Sequence, residues 1–515
     1  PDSQRLACTR NFNLDTYAAA FGSELKGFKK ALQALFYFTD HIALDLNGRR
    51  VELTEPIDVA ALAGLTSFTA RRTLTNGNLV AVAGPAWTTG TTSAVATYAV
   101  TNPLELTAVS NIAAIPVGAR VIGTGVGREV YVRAKNIATN SLTLSQPLWA
   151  AAGTRSYSFE RYRYMLDFSG FTALTRFQIT NVDFSCEGVA SAINLAQTGS
   201  VFIVSGCMFG LVKDRAITST GEGCQDLHID TCQFFSADQG LPAQDRKSLV
   251  FNTNANDIKI RNNRSSRFGH FAVVSGSGAI FAGNHFFGGD DQQPGLRRAG
   301  VVLTLPDCKT FFTGNYVDNC FIELSNEHDA TPAYGGSFSF GSLTITGNSF
   351  TAQHVQPWFN WVVVTPRGPG HFLYGLTITS NVFYARSGNI DRVEAVDSTH
   401  ATLAYNSFRN VHMHSNTFTG VALRAESPML VEHTQSTAAD TWAVDTGGLL
   451  PFGGRARNVV GLVFEGAVSN SANATQYVTP YVQVEQGAGA QFANLKWPVA
   501  VKGKAQVTIR VDNPA

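Results

Sequence analysis

Nine short segments of this chain are versions of one another, and that repetition limits its possible folds more than any other feature. LTITGNSF (Leu343 to Phe350) returns as LTITSNVF (Leu376 to Phe383) and VHMHSNTF (Val411 to Phe418). Earlier copies are FQITNVDF (Phe177 to Phe184), FIVSGCMF (Phe202 to Phe209), LHIDTCQF (Leu227 to Phe234), IKIRNNRS (Ile258 to Ser265), AIFAGNHF (Ala279 to Phe286) and TFFTGNYV (Thr310 to Val317). The copies recur every 21 to 35 residues or so, the range of solenoid repeats. Within each, the first and third positions are apolar with polar residues between them, the period of a strand rather than a helix. Each copy therefore predicts one coil of a parallel β-helix.

Two positions predict columns running along such a stack. The sixth is Asn263, Asn284, Asn315, Asn348, Asn381 and Asn416 in six consecutive copies. At a strand spacing of about 4.8 Å these amides form a ladder that satisfies buried turn carbonyls. The eighth is Phe184, Phe209, Phe234, Phe286, Phe350, Phe383 and Phe418, a stack of rings inside the coils. Cys207 and Cys232 take the sixth position in two copies and read as small core residues, not a disulfide. A further strand lies between copies, as in AINLA (Ala192 to Ala196), SLVFN (Ser248 to Asn252), FAVVS (Phe271 to Ser275), GVVLT (Gly300 to Thr304), FIELS (Phe321 to Ser325), WVVVT (Trp361 to Thr365), RVEAV (Arg392 to Val396) and VALRA (Val421 to Ala425).

A repeat of this kind also solves the problem of size, since 515 residues exceed what one ordinary core can bury. The net charge of +1, without a Lys/Arg cluster, gives no electrostatic footprint for nucleic acid. The apolar run Ala31 to Phe38 is too short to span a bilayer and lies in a helical pattern unlike a secretion signal, so synthesis in the cytoplasm without a signal peptide is expected, and no membrane insertion. Seven cysteines, with no CxxC pair and no metal-ligand spacing, predict reduced and mostly buried thiols, no metal and no cofactor.

Five regions are expected. Residues 1–42 carry Leu14, Ala18, Phe21, Leu25, Phe28, Leu32 and Leu35 at alternating four-three spacing, which fits a cap on the solenoid end or a short coiled coil that trimerises or anchors the chain. Residues 43–79 form the first coils, 80–160 an inserted Thr/Ala/Val/Gly-rich β-domain, 161–450 the main β-helix, and 451–515 a C-terminal β cap or trimerisation region.

Glycoside hydrolysis needs two carboxyl groups astride the scissile bond. Glu323 and Glu394 each fall between inward apolar residues and so are expected to point outward, two coils apart. Asp290 and Asp291 in GGDDQQPG form a second acidic pair, with a solvated Asx-type turn as the other reading. Glu327, His328 and Asp329 read as a metal cluster or as a polar loop. Sugar recognition needs aromatic platforms flanked by hydrogen-bonding groups, and QPWFNWVVV supplies Trp358, Asn360 and Trp361, with Arg392 and Glu394 on the following coil.

With these motifs the chain resembles the pectate-lyase-like right-handed parallel β-helix proteins, and among them phage tailspikes and receptor-binding spikes, including the head spikes of phage-like gene transfer agents. The insert Val117 to Phe159 is similar to β-modules of phage tail and spike proteins. GGDD also resembles a polygalacturonase motif, but the Gly-His-Gly tripeptide that accompanies it in that family does not occur here, the nearest strings being GHF at Gly269, before it, and GHF at Gly370, after it. The resemblance implies a homotrimer on a virion or particle surface, attached through residues 1–42, that binds a bacterial surface (capsular) polysaccharide. An endo-acting hydrolase or lyase using Glu323, Glu394, Asp290 or Asp291 is the alternative. The fold itself does not choose between binding and cleavage.

Overall fold

The computed structural model describes residues 12–37, 41–336 and 338–514. Contacts divide the chain into two compact units, Pro1–Pro332 and Ala333–Ala515. In the first, consecutive copies of the repeat pair in parallel and in register. Ile203–Ser205 pairs with His228–Asp230, then Lys259–Arg261, Ile280–Ala282 and Asp307–Thr313. A second strand in each coil stacks likewise, from Met208–Val212 through Gln233–Ser236, Arg264–Ser266 and His285–Phe287 to Tyr316–Asp318. Third strands form their own parallel sheet, ordered Ile57–Asp58, Tyr164–Asp167, Ser191–Asn194, Arg215–Thr218, Leu249–Thr253, His270–Val274, Ala299–Leu303, Phe321–Ser325. This is a parallel β-helix.

Both internal columns are present. Asn263 takes a hydrogen bond from the Cys232 amide (2.9 Å) and donates to the carbonyl of Ile229 (2.8 Å) and to Oδ1 of Asn284 (3.0 Å); Asn284 repeats the pattern onto Asn315. Where cysteine replaces asparagine, the thiol takes over the donation to the preceding coil: Cys232 to Val204 O and Cys207 to Ile179 O, each 3.6 Å. These and the other described cysteines are buried, while Cys8 lies outside the described residues. Phe184, Phe209 and Phe234 stack at 4.9 and 4.7 Å with nearly parallel planes.

The insert leaves the second coil after Arg72–Ala81 and returns at Tyr164–Asp167, so it interrupts one coil between its second and third strands. It is a six-stranded antiparallel sheet with its own core of Tyr98, Leu106, Val121, Val132, Leu142 and Phe159. Two helices, Leu14–Phe21 and Glu24–Tyr37, break at Gly22, which adopts the left-handed conformation. Their apolar residues turn onto the chain's own coils: Phe28, Leu32 and Leu35 are buried, and the Phe36 ring meets Phe68, Phe171 and Phe177. Of the four-three set Leu14, Ala18, Phe28, Leu32 and Leu35 are buried, and Phe21 is left exposed.

In the second unit, Phe340–Thr346, Leu373–Thr379 and Arg409–His414 repeat the first-strand register, with Ser349–Ala352, Val382–Ala385 and Thr417–Thr419 beside them. The ladder continues in Asn348, Asn381 and Asn416, and the rings in Phe350, Phe383 and Phe418. Val421–Leu423 pairs with Ile390–Arg392 and leaves the third-strand pattern. An antiparallel sheet follows, ordered Met429–Asp445, Phe492–Arg510, Asn458–Phe464. Its first strand starts well before Pro451. Trp442, Trp497 and Phe464 form its core. No helix among the described residues is long and apolar enough to cross a membrane.

Candidate functional site

The expected outward carboxylate Glu323 does project away from the coil interior, but it is not exposed to solvent. The insert covers it. Arg128 aims its guanidinium at two acids of the third-strand side, reaching Glu323 at 2.7 and 2.8 Å and Glu327 at 2.7 and 2.8 Å. Close backbone approach is needed here: a Cβ on Gly127 would stand 2.6 Å from the Glu327 carbonyl. His328 bridges Thr304 (3.0 Å) and the Arg128 carbonyl (2.7 Å), and Asp329 accepts from the Thr331 amide (2.9 Å). The Glu327–Asp329 string is therefore a hydrogen-bonded loop, and no group able to hold a metal occurs among the described residues. Burial pushes the Glu327 carboxyl up, but attraction to Arg128 outweighs this and holds it far below the usual range.

A second buried pair lies along the same seam. Arg215 grips Glu129 at 2.7 and 2.8 Å, the Tyr131 hydroxyl donates to Glu129 at 2.5 Å, and the guanidinium lies 4.7 Å from the Tyr162 ring centre. Desolvation raises the Glu129 carboxyl, yet Arg215 and Arg120 bring it down to about 2. These are docking contacts between insert and coils.

Asp290 and Asp291 have separate roles. The Asp290 side chain is buried, pairs with Arg297 at 2.6 Å, accepts from the Ala243 amide at 2.6 Å, and closes an Asx turn onto the Gln292 amide at 3.0 Å. Asp291 stands in solvent, 3.4 Å from Arg267. The two side chains are not presented together.

In the second unit the aromatic segment also divides. Trp361 is fully buried among Phe350, Phe359 and Phe383, so it is a core residue and not a platform at a groove edge. Trp358 is 60% exposed. Asn360 donates to the Arg392 carbonyl at 2.9 Å and ties neighbouring coils. Arg392 holds Glu394 at 2.6 Å and the carbonyls of Gly448 and Leu450 at 3.0 and 2.8 Å. Glu394, expected to face outward, is completely buried under that loop and accepts from the Phe452 amide at 3.1 Å. Its Oε2 has no hydrogen-bond partner among the described residues, and burial raises its carboxyl despite Arg392.

Sequence reasoning passed over the surfaces that do remain open. Tyr374 and Tyr384 project outward from their strands in the second unit, beside exposed Val382 and Arg386. The first unit presents Phe311 at 57% exposure, along with Arg261 and Arg264. The signal was available: each sits next to an inward residue of an alternating strand, as Phe311 beside Phe312 and Tyr384 beside Phe383. Such an outer face can stack sugar rings and bond their hydroxyls, with water free to enter along it.

No protein-family model matches the chain, and no curated protein matches it. Among solved structures it is similar to a mutant tailspike protein of the E. coli bacteriophage HK620 in complex with a pentasaccharide, at 12% identity over 98% of this chain and 94% of that one, TM-score 0.41. It is also similar to the tailspike of the Acinetobacter baumannii bacteriophage AP22 in complex with a capsular saccharide, at 10% identity over 98% and 97% of the two chains, TM-score 0.31. The fold is read from the chain's own strand pairings.

Proposed function

We propose that this chain is a phage-type spike or adhesin that binds a bacterial capsular polysaccharide through the outer face of its coils. The observation that carries this reading is the set of aromatic side chains standing in solvent on outer strands or loops of a β-helix: Trp358, Tyr374 and Tyr384. A ring left in water on a rigid strand loses little freedom on contacting a sugar face, which favours binding by stacking. Cleavage by the carboxylates considered above is supported less. Glu323, Glu394 and Asp290 are engaged in ion pairs with Arg128, Arg392 and Arg297 and are closed off from solvent.

Homotrimeric assembly is part of the proposal. Leu430, Val460, Val463 and Tyr481 stand exposed on the C-terminal antiparallel sheet, apolar surface of the kind that subunits cover. Attachment to a virion or a gene-transfer particle is assigned to residues 1–42, where Phe21, Tyr37 and Ile42 are exposed. Purified protein incubated with capsular polysaccharide from candidate host cells tests the binding reading. Co-sedimentation with chain length unchanged is expected; shortened chains would transfer the assignment to the endo-acting enzyme, and no interaction with any capsule would defeat both.

A further inference from the structure

The first unit carries a second open face, composed differently from the aromatic surface around Trp358. Between Leu227 and Val317 the first strands place His228, Lys259, Ile280 and Phe311 in one outward column and Asp230, Arg261, Ala282 and Thr313 in the next. Their inward neighbours Ile229, Ile260, Phe281 and Phe312 are buried, which fixes the outward assignment. The second strands add Gln233, Arg264, His285 and Tyr316. Four coils at about 4.8 Å each give a surface roughly 15 Å long, room for about three sugar rings.

The charges on this face are unequally spent. Lys259 is held by Asp226 at 2.5 Å and lies 3.3 Å from the His228 ring nitrogen; Arg261 pairs with Asp230 at 3.0 Å. Arg264 is exposed and makes no ion pair among the described residues. Its column neighbours are the Gln233 amide on one side and, on the other, the His285 imidazole, which packs on Tyr316 with ring centres 4.6 Å apart. An open guanidinium has the fork geometry that a carboxylate fills with two hydrogen bonds. Flanked by an amide and an aromatic pair, with the exposed Phe311 ring two coils along, on the strand that precedes Tyr316, it suits a sugar that bears an acid group.

We infer that this face binds an acidic polysaccharide, a sugar carboxylate seating on Arg264 and neighbouring rings stacking on Phe311 and the His285–Tyr316 pair. The inference rests on the polysaccharide-binding reading and adds to it a chemical class and a second contact surface.

Affinity electrophoresis of the full-length protein through gels containing purified bacterial capsular polysaccharides tests it, using uronate-containing polymers, the same polymers after carboxyl reduction, and neutral ones. Retention by at least one uronate polymer is expected, weakened tenfold or more by carboxyl reduction. Arg264→Gln and Phe311→Ala each weaken that retention about tenfold, and Arg264→Lys restores part of it. Both positions are exposed, and an unchanged circular dichroism spectrum and unfolding midpoint verify that each variant is folded. Retention by neutral polymers alone, or uronate binding indifferent to both substitutions, overturns the acidic-sugar inference and leaves the polysaccharide reading standing. Retention by no polymer overturns both.

Discussion

At the fifth position of the repeat the backbone enters the left-handed region, and this turn is what directs the sixth side chain inward to the ladder. Asn181, Gly206, Asn262, Gly283, Gly314, Gly347, Ser380 and Ser415 all have positive φ there, as glycine and small polar residues tolerate. Thr231 is the β-branched exception at φ 56°, and its hydroxyl makes only an exposed contact with Asp230. Thr231→Gly is expected to raise stability by about 1 kcal/mol, the steric cost that glycine does not incur. A denaturant midpoint that stays put or falls would count against strain at this turn. A second expectation concerns Glu394, whose carboxyl burial raises. With the folded value above the unfolded one, its contribution is fully present below the usual carboxylate range and lost as pH rises through the folded value. Glu394→Gln should therefore gain stability relative to the parent as pH rises above the ordinary carboxylate range, whereas a constant difference would show that the group ionises as in water.

Among the elements, the insert is held to the third-strand sheet by buried ion pairs rather than by apolar contact alone. Removing one member strands its partner in a dry seam, so Arg128→Met is expected to cost about 3–5 kcal/mol in urea unfolding. A loss under about 1 kcal/mol would mean that Glu323 and Glu327 rehydrate freely. The seam should also be acid-sensitive. Glu129 is brought from the ordinary 4.5 to about 2, so its contribution is complete above about pH 4.5 and disappears as pH falls toward 2. Thermal melts across that interval should show the parent losing stability more steeply than Glu129→Gln. These pairs also mark where the sequence stops being informative. Period-2 alternation correctly sets Glu323 pointing away from the coil interior, but whether an outward side meets water depends on what lies over it. Arg128 is 195 residues from Glu323 along the chain, and no local pattern announces that partner. The Asn and Phe columns were legible because each coil repeats them against its immediate neighbour; the place of Trp361 was not, because the residue that opens a strand reads alike whether its side chain lies at a groove edge or in the core.

For the whole molecule, the unresolved economy is that of apolar surface. The N-terminal four-three spacing is mostly consumed within the chain, Phe28, Leu32 and Leu35 lying buried, so it has little left to drive a coiled coil. By contrast, the C-terminal sheet leaves Leu430 and Val463 largely in water on long strands that the single chain does not cover. If assembly follows apolar burial, self-association belongs to residues 429–510 and not to the helices Leu14–Phe21 and Glu24–Tyr37. Light scattering on the full-length protein should then give three times the 55.3 kDa chain mass. Leu430→Asp with Val463→Asp should reduce it to one chain while the circular dichroism spectrum is kept, because both residues are already solvated in the lone subunit. Disruption of the central Leu32 to Asp would unfold the cap without that clean dissociation. A monomeric parent would leave the exposed sheet without a self-partner, and a trimer indifferent to both aspartates would move the interface to another face of the coils.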